Sequence, residues 1–329
     1  MKPILISGVQ PSGKLHIGNY FGLLKNFVDL QNTGRYQCYF FVADLHSLTE
    51  DFDASKKYQQ ILDVVLESLS VGVNPEKSTV FIQSQVYEHS ELTWILNTIT
   101  PFGELKRMVQ FKDKSERQKE NVNVGLFDYP VLQASDIVLY DAEFVPVGED
   151  QLQHLEFTRA IARKFNARFK KILVEPKPLL TEIPRLMSLT DPNKKMSKSM
   201  PEGCLFLDDS PEEIMNKVKK AVTDSGSEIK YNTQNKPAIS NLITIYKGFS
   251  DLSIKEIEKK FEGVGYGQFK KELAKAVIEG LRPFRAKKKL LSKNISRVEK
   301  IIESGRKKAS SKAAKKMKQV KKVLGLVKK

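Results

Sequence analysis

The chain begins with a buried-strand pattern that leads directly into a turn and then into a helix. Residues 4–6 are strand-forming, residues 11–13 contain Pro and Gly, and an apolar helical pattern begins near Ile17. Further strand patterns and one long amphipathic helical pattern follow, at residues 36–43, 79–82 and 54–71. Strands that alternate with helices favour an open parallel sheet, whose ligands bind at the carboxyl ends of the strands.

The length of 329 residues is sufficient for two domains. We predict an α/β fold, with a Rossmann-like open parallel sheet that contains an inserted helical segment and is followed by an all-helical C-terminal domain. The predicted boundaries are a catalytic domain at 1–208, the insertion at about 85–125, a helical domain at 209–308 and a Lys-rich tail at 309–329.

The formal net charge is +16, and nearly all of it lies near the C-terminus. Residues 287–329 contain 17 Lys and Arg but only Glu299 and Glu303 as acids, which gives a net charge of +15. Such a segment either contacts the phosphates of a nucleic acid or forms a solvated face that maintains solubility. On the first interpretation, deleting residues 309–329 spares catalysis and weakens nucleic-acid binding in a salt-dependent way.

Other bulk properties exclude several classes of protein. The sequence has neither a run of roughly 20 apolar residues that could span a membrane nor a secretory signal pattern. Its two cysteines, Cys38 and Cys204, are far apart and lack the spacing of a disulfide framework or a zinc site. We therefore expect a cytoplasmic protein without a membrane partner.

Two short motifs contain the residues expected to do chemistry. One runs from Gly8 to Tyr20 and the other is Lys195-Met196-Ser197-Lys198-Ser199. Both supply small residues, amide donors and cations, which hold a polyphosphate while its α-phosphate is attacked. The first motif also matches the start of a P-loop, but Leu15 stands where a P-loop needs Ser or Thr, so we do not predict a P-loop NTPase.

Taken together, the motifs resemble those of class I aminoacyl-tRNA synthetases, and within that class the tryptophanyl family. The segments that carry the resemblance are SGVQPSGKLHIGNY, YPVLQASDIVLY, VPVGEDQLQH, KMSKS and AVTDS. The resemblance implies an enzyme that activates L-tryptophan with ATP to tryptophanyl-adenylate and pyrophosphate, and then transfers tryptophan to the 3′ end of tRNA(Trp). It also implies a homodimer formed through the inserted segment, and Mg²⁺ held mainly by the ATP phosphates rather than by protein ligands.

The resemblance assigns catalysis to His16, Asn19, Lys195 and Lys198. The wider class has a second histidine where this chain has Asn19, but an amide can also donate to a phosphate. Lys114 is a candidate for contact with pyrophosphate. The residues predicted to bind ATP are Gln10, Pro11, Ser12, Gly18, Asn19, Gly148, Glu149, Asp150, Leu186, Lys195, Met196, Ser197, Lys198 and Ser199.

Selection of the amino acid is predicted to depend on Asp136. An indole presents one N–H donor at the edge of a large apolar ring, so its pocket needs one buried acceptor among apolar walls. Asp136 stands among apolar residues, and the resembled family uses the matching aspartate for this purpose. The residues predicted to contact tryptophan are Asp136, Gln10, His46, Ile6, Tyr129, Gln133, Val145 and Val147.

Three alternatives remain open from the sequence. A tyrosyl-tRNA synthetase would need a Tyr and Asp pair for a phenol oxygen. A dinucleotide-forming nucleotidyltransferase would not need the Lys195–Ser199 loop and the long helical, basic region after it. An RNA-binding module with a remnant nucleotide site would be expected to have damaged motif residues.

Overall fold

The computed structural model of the chain describes residues 2–108, 122–148, 151–180, 186–198 and 200–328. Its contacts divide the chain into two compact units. We call them the sheet unit (Met1–Ser12, Asn26–Thr181 and Asn294–Lys329) and the helical unit (Gly13–Lys25 and Glu182–Lys293). These units do not follow the predicted boundaries at 208 and 308, because the C-terminal residues return to the sheet and the first motif leaves it.

The sheet has five parallel strands, as the alternation of strand and helix patterns predicted. They are β1 (Ile4–Val9), β2 (Gln37–Val42), β3 (Ser78–Ile82), β4 (Phe144–Val147) and β5 (Lys177–Leu180). Their spatial order is β3-β2-β1-β4-β5, so the direction of the strand order reverses between β1 and β4. In an open parallel sheet this reversal leaves a crevice at the carboxyl ends of the two strands, where ligands bind.

Helices make up most of the remaining described chain. In chain order they are α1 (Ile17–Asn19), α2 (Lys25–Asn32), α3 (Ala54–Val71), α4 (Glu88–Asn97), α5 (Phe102–Lys106), α6 (Val124–Val138), α7 (Leu152–Arg168), α8 (Pro211–Lys220), α9 (Pro237–Gly248), α10 (Ile254–Lys260), α11 (Tyr266–Ser292) and α12 (Ile295–Leu324). A π-helical turn, Tyr20–Leu24, joins α1 to α2. No helix in the described ranges is both long and apolar enough to cross a membrane.

Local capping signals explain where the predicted helices begin and end. The side chain of Asp53 accepts from the Ser55 N–H at the start of α3, and Gly72 ends that helix with a φ of 131°. Before α8, Ser210 and Glu213 cap each other reciprocally and Pro211 occupies the first turn. The predicted helix at 54–71 is therefore confirmed, and Ser210 with Pro211 is a helix start that the sequence itself encodes.

The C-terminal helix α12 packs on β3, which is the edge strand of the sheet. The approach is close at Gly305, where an added Cβ would lie 1.7 Å from the Val80 carbonyl oxygen. The buried face of α12 continues with small and apolar residues of the sheet unit's core: Ala309, Ala313, Met317 and Val320. Covering the edge removes the unpaired strand groups from solvent.

Cations on the inner side of α12 also anchor it. Lys312 Nζ lies 2.6 Å from Asp141 Oδ2, and Lys316 pairs with the same carboxylate. Lys321 Nζ lies 2.6 Å from Glu91 Oε1 of α4. The segment predicted as a basic tail is therefore an amphipathic helix that belongs to the sheet unit.

The helical unit has its own aromatic core. Tyr246, Phe261 and Phe269 bring α9, α10 and α11 together, with ring centroids 4.9 to 6.0 Å apart. Phe21 from the π-helical turn meets Phe249 edge to face at 5.0 Å. Because Phe21 lies five residues beyond His16, this packing fixes the helix that follows the first motif.

Candidate active site

A pocket of about 280 Å³ lies in the sheet unit at the carboxyl ends of β1 and β4. It is lined by Ile6, Ser7, Gly8, Gln10, Phe41, Ala43, His46, Tyr129, Gln133, Asp136, Ile137, Val145 and Gln151. Seven of the eight residues predicted to contact tryptophan line it. The eighth, Val147, is buried in the core one strand repeat beyond Val145 and does not line the pocket.

Helix α6 supplies one wall of the pocket. Tyr129, Gln133, Asp136 and Ile137 have the i, i+4, i+7, i+8 spacing that puts side chains on one face of a helix. The opposite wall comes from the strands, where Gly8 allows the ring of Phe41 to approach. A Cβ at Gly8 would lie 2.6 Å from that ring, so any larger residue would displace the aromatic wall.

Asp136 is the buried carboxylate of the pocket, with 2% of its surface exposed. Its Oδ2 lies 2.7 Å from His46 Nε2, and its Oδ1 lies 2.6 Å from His89 Nδ1 and 2.7 Å from Gln83 Nε2. Burial acts to raise the pKa of Asp136, but the charge and hydrogen bonds of His46 and His89 outweigh burial and leave the pKa below its usual value. The group is therefore an ionised acceptor in a pocket whose lining is partly apolar and partly polar.

Tyr129 is the second polar group of the pocket that is held by a residue outside the pocket lining. Its hydroxyl lies 2.9 Å from Nε2 of His154, a buried residue of α7. Burial raises the pKa of Tyr129 to about 12, so the hydroxyl keeps its proton at neutral pH. The pocket thus presents both a carboxylate acceptor and a phenol hydroxyl of fixed position.

The first motif folds as a helix start in the helical unit. The Gly18 N–H donates to Nδ1 of His16 at 3.0 Å, and the His16 N–H donates to Oδ1 of Asn19 at 3.1 Å. His16 is therefore the cap of α1. Because Nδ1 accepts, the neutral ring carries its proton on Nε2, which makes that nitrogen a donor.

The second motif supplies cations to the same unit. Burial, followed by the charges of Lys198 and Lys195, lowers the pKa of His16 to about 4. Lys198 Nζ also donates to the Gly13 carbonyl at 2.9 Å. The part of the first motif that starts the helix and the second motif, which are about 180 residues apart in sequence, therefore meet within one compact unit.

Backbone pairing positions the second motif. Residues 194–196 pair with residues 186–188 through the bonds Met196 N–H to Leu186 O, at 3.0 Å, and Ser188 N–H to Lys194 O, at 2.8 Å. Leu186 and Met196 are buried, whereas Lys195 is exposed. The cations are thus presented from a loop whose apolar members point inward.

For the other residues predicted to contact ATP, the structure gives only their burial or a single contact, or does not describe them. Pro11 is buried and Ser12 is exposed at the end of the turn after β1. The space beside Gly18 is taken by the His16 ring, since an added Cβ would lie 2.7 Å from it. Gly148 accepts from the Gln151 N–H at 3.0 Å. Glu149, Asp150, Ser199 and Lys114 lie outside the described residues, and their assigned roles stay predictions.

The site residues that the structure describes do not suit Mg²⁺ as direct ligands. Within the described ranges, no group of three or more His, Cys, Asp or Glu residues could hold a metal ion. The groups around His16 are donors and cations, whereas Mg²⁺ binds oxygen acceptors.

Of three buried polar residues behind the pocket, sequence reasoning missed His89 and His154 and gave Gln83 no role. Gln83 and His89 contact Asp136, and His154 contacts Tyr129. Gln83 follows β3 directly, a position where polar residues often bind ligands. His89 had no local signal, whereas His154 belongs to the quoted segment VPVGEDQLQH.

Both the fold and the two motif-bearing clusters are those of a nucleotide-dependent synthetase. The family model described as tRNA synthetases class I (W and Y) matches residues 1–282. The chain belongs to this family, which confirms the predicted membership.

Within this family, several proteins that are similar to this chain over its whole length are named for tryptophan. A "Tryptophan--tRNA ligase" of Caldanaerobacter subterraneus subsp. tengcongensis is 46% identical over 326 residues, which cover 98% of each chain. The crystal structure of a tryptophanyl-tRNA synthetase from Mycoplasma pneumoniae is 33% identical, with a TM-score of 0.88 over 99% of each chain. A Campylobacter jejuni tryptophanyl-tRNA synthetase complexed with ADP and tryptophan is 37% identical, with a TM-score of 0.84 over 98% of this chain and 99% of that one.

Proposed function

We propose that this chain is an ATP-dependent tryptophan–tRNA ligase. In the first step a carboxylate oxygen of L-tryptophan attacks the α-phosphorus of ATP, the bond to the β-phosphate breaks, and pyrophosphate leaves. In the second step a hydroxyl of the 3′-terminal ribose of tRNA(Trp) attacks the acyl carbon, and AMP leaves. The observation that carries this proposal is the ionised, buried Asp136 in the pocket of a class I synthetase fold.

Asp136 suits an indole better than a phenol. An ionised carboxylate can only accept hydrogen bonds, and an indole N–H can only donate one. The apolar wall of Ile6, Phe41 and Val145 suits the rest of the ring system. A phenol would need both a donor and an acceptor at this point, and the Tyr129 hydroxyl lines the same pocket, so the choice of tryptophan over tyrosine also depends on the relatives named for tryptophan.

The motif residues suit the transfer of the adenylyl group. Negative charge builds on phosphate oxygens as the bond changes partners, and donors fixed in advance stabilise it. His16 offers a neutral Nε2–H, while Lys195 and Lys198 offer positive charge. We assign catalysis to these residues and Asn19, without a covalent enzyme intermediate. Mg²⁺ is expected to arrive bound to the ATP phosphates.

The partner tRNA is proposed to contact two regions. The helices of residues 209–308 are assigned to the anticodon. The second region is the solvent side of α12, where seven exposed cations follow one stripe: Arg297, Lys300, Lys307, Lys308, Lys315, Lys318 and Lys322. At 100° per residue these positions span about 100° of the helix circumference and about 38 Å of its length. Glu303 pairs with Lys307 at 3.5 Å on one side of the stripe, and the cations as a set suit the phosphates of an RNA backbone.

A homodimer is proposed through the inserted segment at 85–125. Four residues of this segment, Tyr87, Trp94, Phe102 and Val124, are large, apolar and at least 70% exposed. Tyr87 and Trp94 are seven residues apart, which puts them on the same face at α4. Exposed apolar residues concentrated in this way are typical of a protein interface.

The dimer can be tested with the chain's own fluorophore, since Trp94 is the single tryptophan. We expect sedimentation to give a dimer, Tyr87→Lys to give a monomer, and dilution to shift Trp94 emission to the red. Tyr58→Lys, an exposed tyrosine of α3, is the control that should leave the dimer intact. A wild-type monomer at micromolar concentration would contradict the proposal.

The decisive test of function is amino-acid-dependent exchange of labelled pyrophosphate into ATP, measured with each of the twenty amino acids. Exchange with tryptophan alone supports the proposal, and charging of tRNA(Trp) transcript then tests the second step. Exchange with tyrosine would instead identify a tyrosyl-tRNA synthetase. If no amino acid supported exchange, an RNA-binding module with a remnant nucleotide site would be the better account. A cytoplasmic location, also proposed, would be tested by fractionation of the source cells.

A further inference from the structure

His89 lies behind the pocket, in contact with Asp136 but without lining the pocket itself. It is 0% exposed at the start of α4. Its Nδ1 lies 2.6 Å from Asp136 Oδ1, and its Nε2 lies 2.8 Å from the Tyr140 hydroxyl. Tyr140, His89 and Asp136 thus form a continuous line of hydrogen bonds from the core to the pocket wall.

The direction of these hydrogen bonds follows from the groups at each end. An ionised carboxylate only accepts, so Nδ1 of His89 carries a proton and donates it to Asp136. Burial, and then the charges of Asp136, Glu88 and Tyr39, raise the pKa of Tyr140 well above its usual value. Tyr140 therefore keeps its proton, and its hydroxyl is a hydrogen-bond partner for Nε2 of His89.

The His89 ring has little freedom to turn. Aromatic rings surround it, with centroids at 6.1 Å for Phe41, 6.1 Å for Phe81 and 5.4 Å for Tyr140. Both hydrogen-bond partners and packing therefore hold one orientation, as expected for a residue that positions a functional group.

The two oxygens of Asp136 are held differently. Oδ1 receives hydrogen bonds from His89 and Gln83, neither of which lines the pocket. Oδ2 contacts His46, which does line it. Holding Oδ1 from behind fixes the rotation of the carboxylate, so that the Oδ2 edge is the one shared with the pocket.

We propose that His89 is a positioning residue for amino-acid selection: it holds the Asp136 carboxylate in the one orientation that accepts an indole N–H. This inference rests on the proposed function. A histidine that only filled the core would affect every amino-acid substrate alike, whereas a positioning residue acts on the N–H bond in particular.

The test compares two substrates that differ at this one group. L-Tryptophan has the indole N–H, and β-(3-benzothienyl)alanine has a sulfur in its place. The measured quantity is the ratio of kcat/KM for the two substrates in pyrophosphate exchange, for the wild type and for three variants. His89→Leu removes both hydrogen bonds, His89→Asn keeps a donor near the position of Nδ1, and Tyr140→Phe removes only the hydroxyl.

We expect His89→Leu to lower the tryptophan-to-analogue ratio about tenfold or more, mainly through a higher KM for tryptophan, as expected for a lost hydrogen bond to a charged group. The KM for ATP and the analogue's own kcat/KM should change by no more than about threefold. His89→Asn should recover part of the ratio. A loss shared equally by both substrates in His89→Leu would overturn the proposal.

Two further outcomes keep the test decisive. If His89→Leu fails to fold, Tyr140→Phe still lowers the ratio about two- to fivefold on this proposal, because Nε2 of His89 loses the hydrogen-bond partner that helps to hold the ring in place. An unchanged ratio in Tyr140→Phe would then overturn it. If the wild-type enzyme exchanged no pyrophosphate with tryptophan, the proposed function would be overturned. If the wild-type enzyme exchanged normally but the variants kept the wild-type ratio of kcat/KM, only the role of His89 would be overturned.

Discussion

At the scale of single residues, the histidines connect burial to chemistry. The chain has four, and all are at most 7% exposed: His16, His46, His89 and His154. Each has a polar partner in the structure. His16 contacts the Gly18 N–H, His46 contacts Asp136, and His154 contacts Tyr129. His89 contacts both Asp136 and Tyr140. A buried imidazole whose hydrogen-bond partner is fixed is held in one orientation, so each of these rings can orient the group that it contacts.

Asp136→Asn tests the acceptor of the pocket without changing its volume. The amide replaces one carboxylate oxygen with a donor, so the contacts of His46 and His89, which lie at different oxygens, can no longer both be kept. We expect kcat/KM for tryptophan in pyrophosphate exchange to fall about 100-fold or more. The KM for ATP should remain within about threefold of the wild-type value. A parallel loss of ATP binding would mean that the residue supports the fold rather than selection.

Lys198→Ala tests the cation beside His16. Removing it takes away charge stabilisation of the phosphates and the hydrogen bond to the Gly13 carbonyl. Tryptophan activation should fall about 100-fold, while tryptophan affinity by equilibrium dialysis stays nearly unchanged. Lys194→Ala is the matched control, because Lys194 belongs to the same loop, is exposed and pairs with Asp191. Similar losses in both variants would indicate a purely structural loop.

The lowered pKa of His16 predicts how the site responds to pH. With a pKa of about 4, the ring stays neutral from pH 5.5 to 8.5 and donates from Nε2 throughout. Histidine-labelled ¹⁵N NMR contains only four residues' signals, and His16→Gln identifies the relevant one. We expect that signal to show the Nε2–H tautomer without titrating in this range. A midpoint between pH 6 and 7 would contradict the burial argument.

The same shift has a consequence for stability. The unfolded chain protonates this histidine near its ordinary value of 6.5, and the folded chain does so only near 4. Between these two values the unfolded state binds more protons, so the contribution of His16 to the free energy of unfolding falls as pH falls from 6.5 to 4. It is constant above 6.5.

At the scale of elements, α12 is defined by one close contact. Gly305 lies in the middle of a 30-residue helix, where glycine normally costs stability relative to alanine. A glycine is needed at this position because the β3 backbone is so close that an added Cβ would lie 1.7 Å from the Val80 oxygen. Backbone cannot move aside as a flexible side chain can, so the helix itself would have to shift.

A Gly-to-Ala change inside a helix usually raises the free energy of unfolding, whereas Gly305→Ala should lower it. We expect it to lower the free energy of unfolding by roughly 2 kcal/mol or more, because the α12–β3 packing is forced apart. Gly267→Ala is the matched control in α11, where nothing lies within 4 Å of an added Cβ. That change should be neutral or stabilising by up to about 1 kcal/mol in the same denaturant titration. If Gly305→Ala also stabilised, the close packing would be refuted.

At the scale of the whole molecule, the sequence was informative where the signal was local. The parallel sheet, the bounds of α3 and the start of α8 follow from periodicity and caps within short windows. The motif residues follow from identity and spacing. His89 contacts Asp136 across 47 residues, and Gly305 meets Val80 across more than 200. Such pairings depend on tertiary packing and leave no local pattern, so both the His89 contact and the return of α12 to the sheet were missed.

The position of α12 also changes what truncation can reveal. Deleting 309–329 was expected to spare activation, but it removes Ala309, Ala313, Met317 and Val320 from the core and leaves Asp141 without two lysine partners. Asp141 lies just beyond α6, the helix that carries Asp136. We now expect this deletion to lower the Tm by several degrees and to reduce tryptophan activation. A truncated protein with wild-type Tm would show that α12 is dispensable for the fold.

Removing exposed charges from α12 without shortening it distinguishes a role in RNA binding from the role of α12 in the fold. Lys315, Lys318 and Lys322 are exposed on the solvent side of α12, and changing all three to Gln should leave the Tm and tryptophan activation unchanged. If the stripe contacts phosphates, tRNA affinity should fall and the slope of log K against log salt should weaken by about 2 to 3. Changing Lys164, Lys170 and Lys171, which are exposed lysines of the same unit, removes equal charge as a control. Equal slopes in the two triple variants would reduce the stripe to a solvated face, since only net charge would then matter.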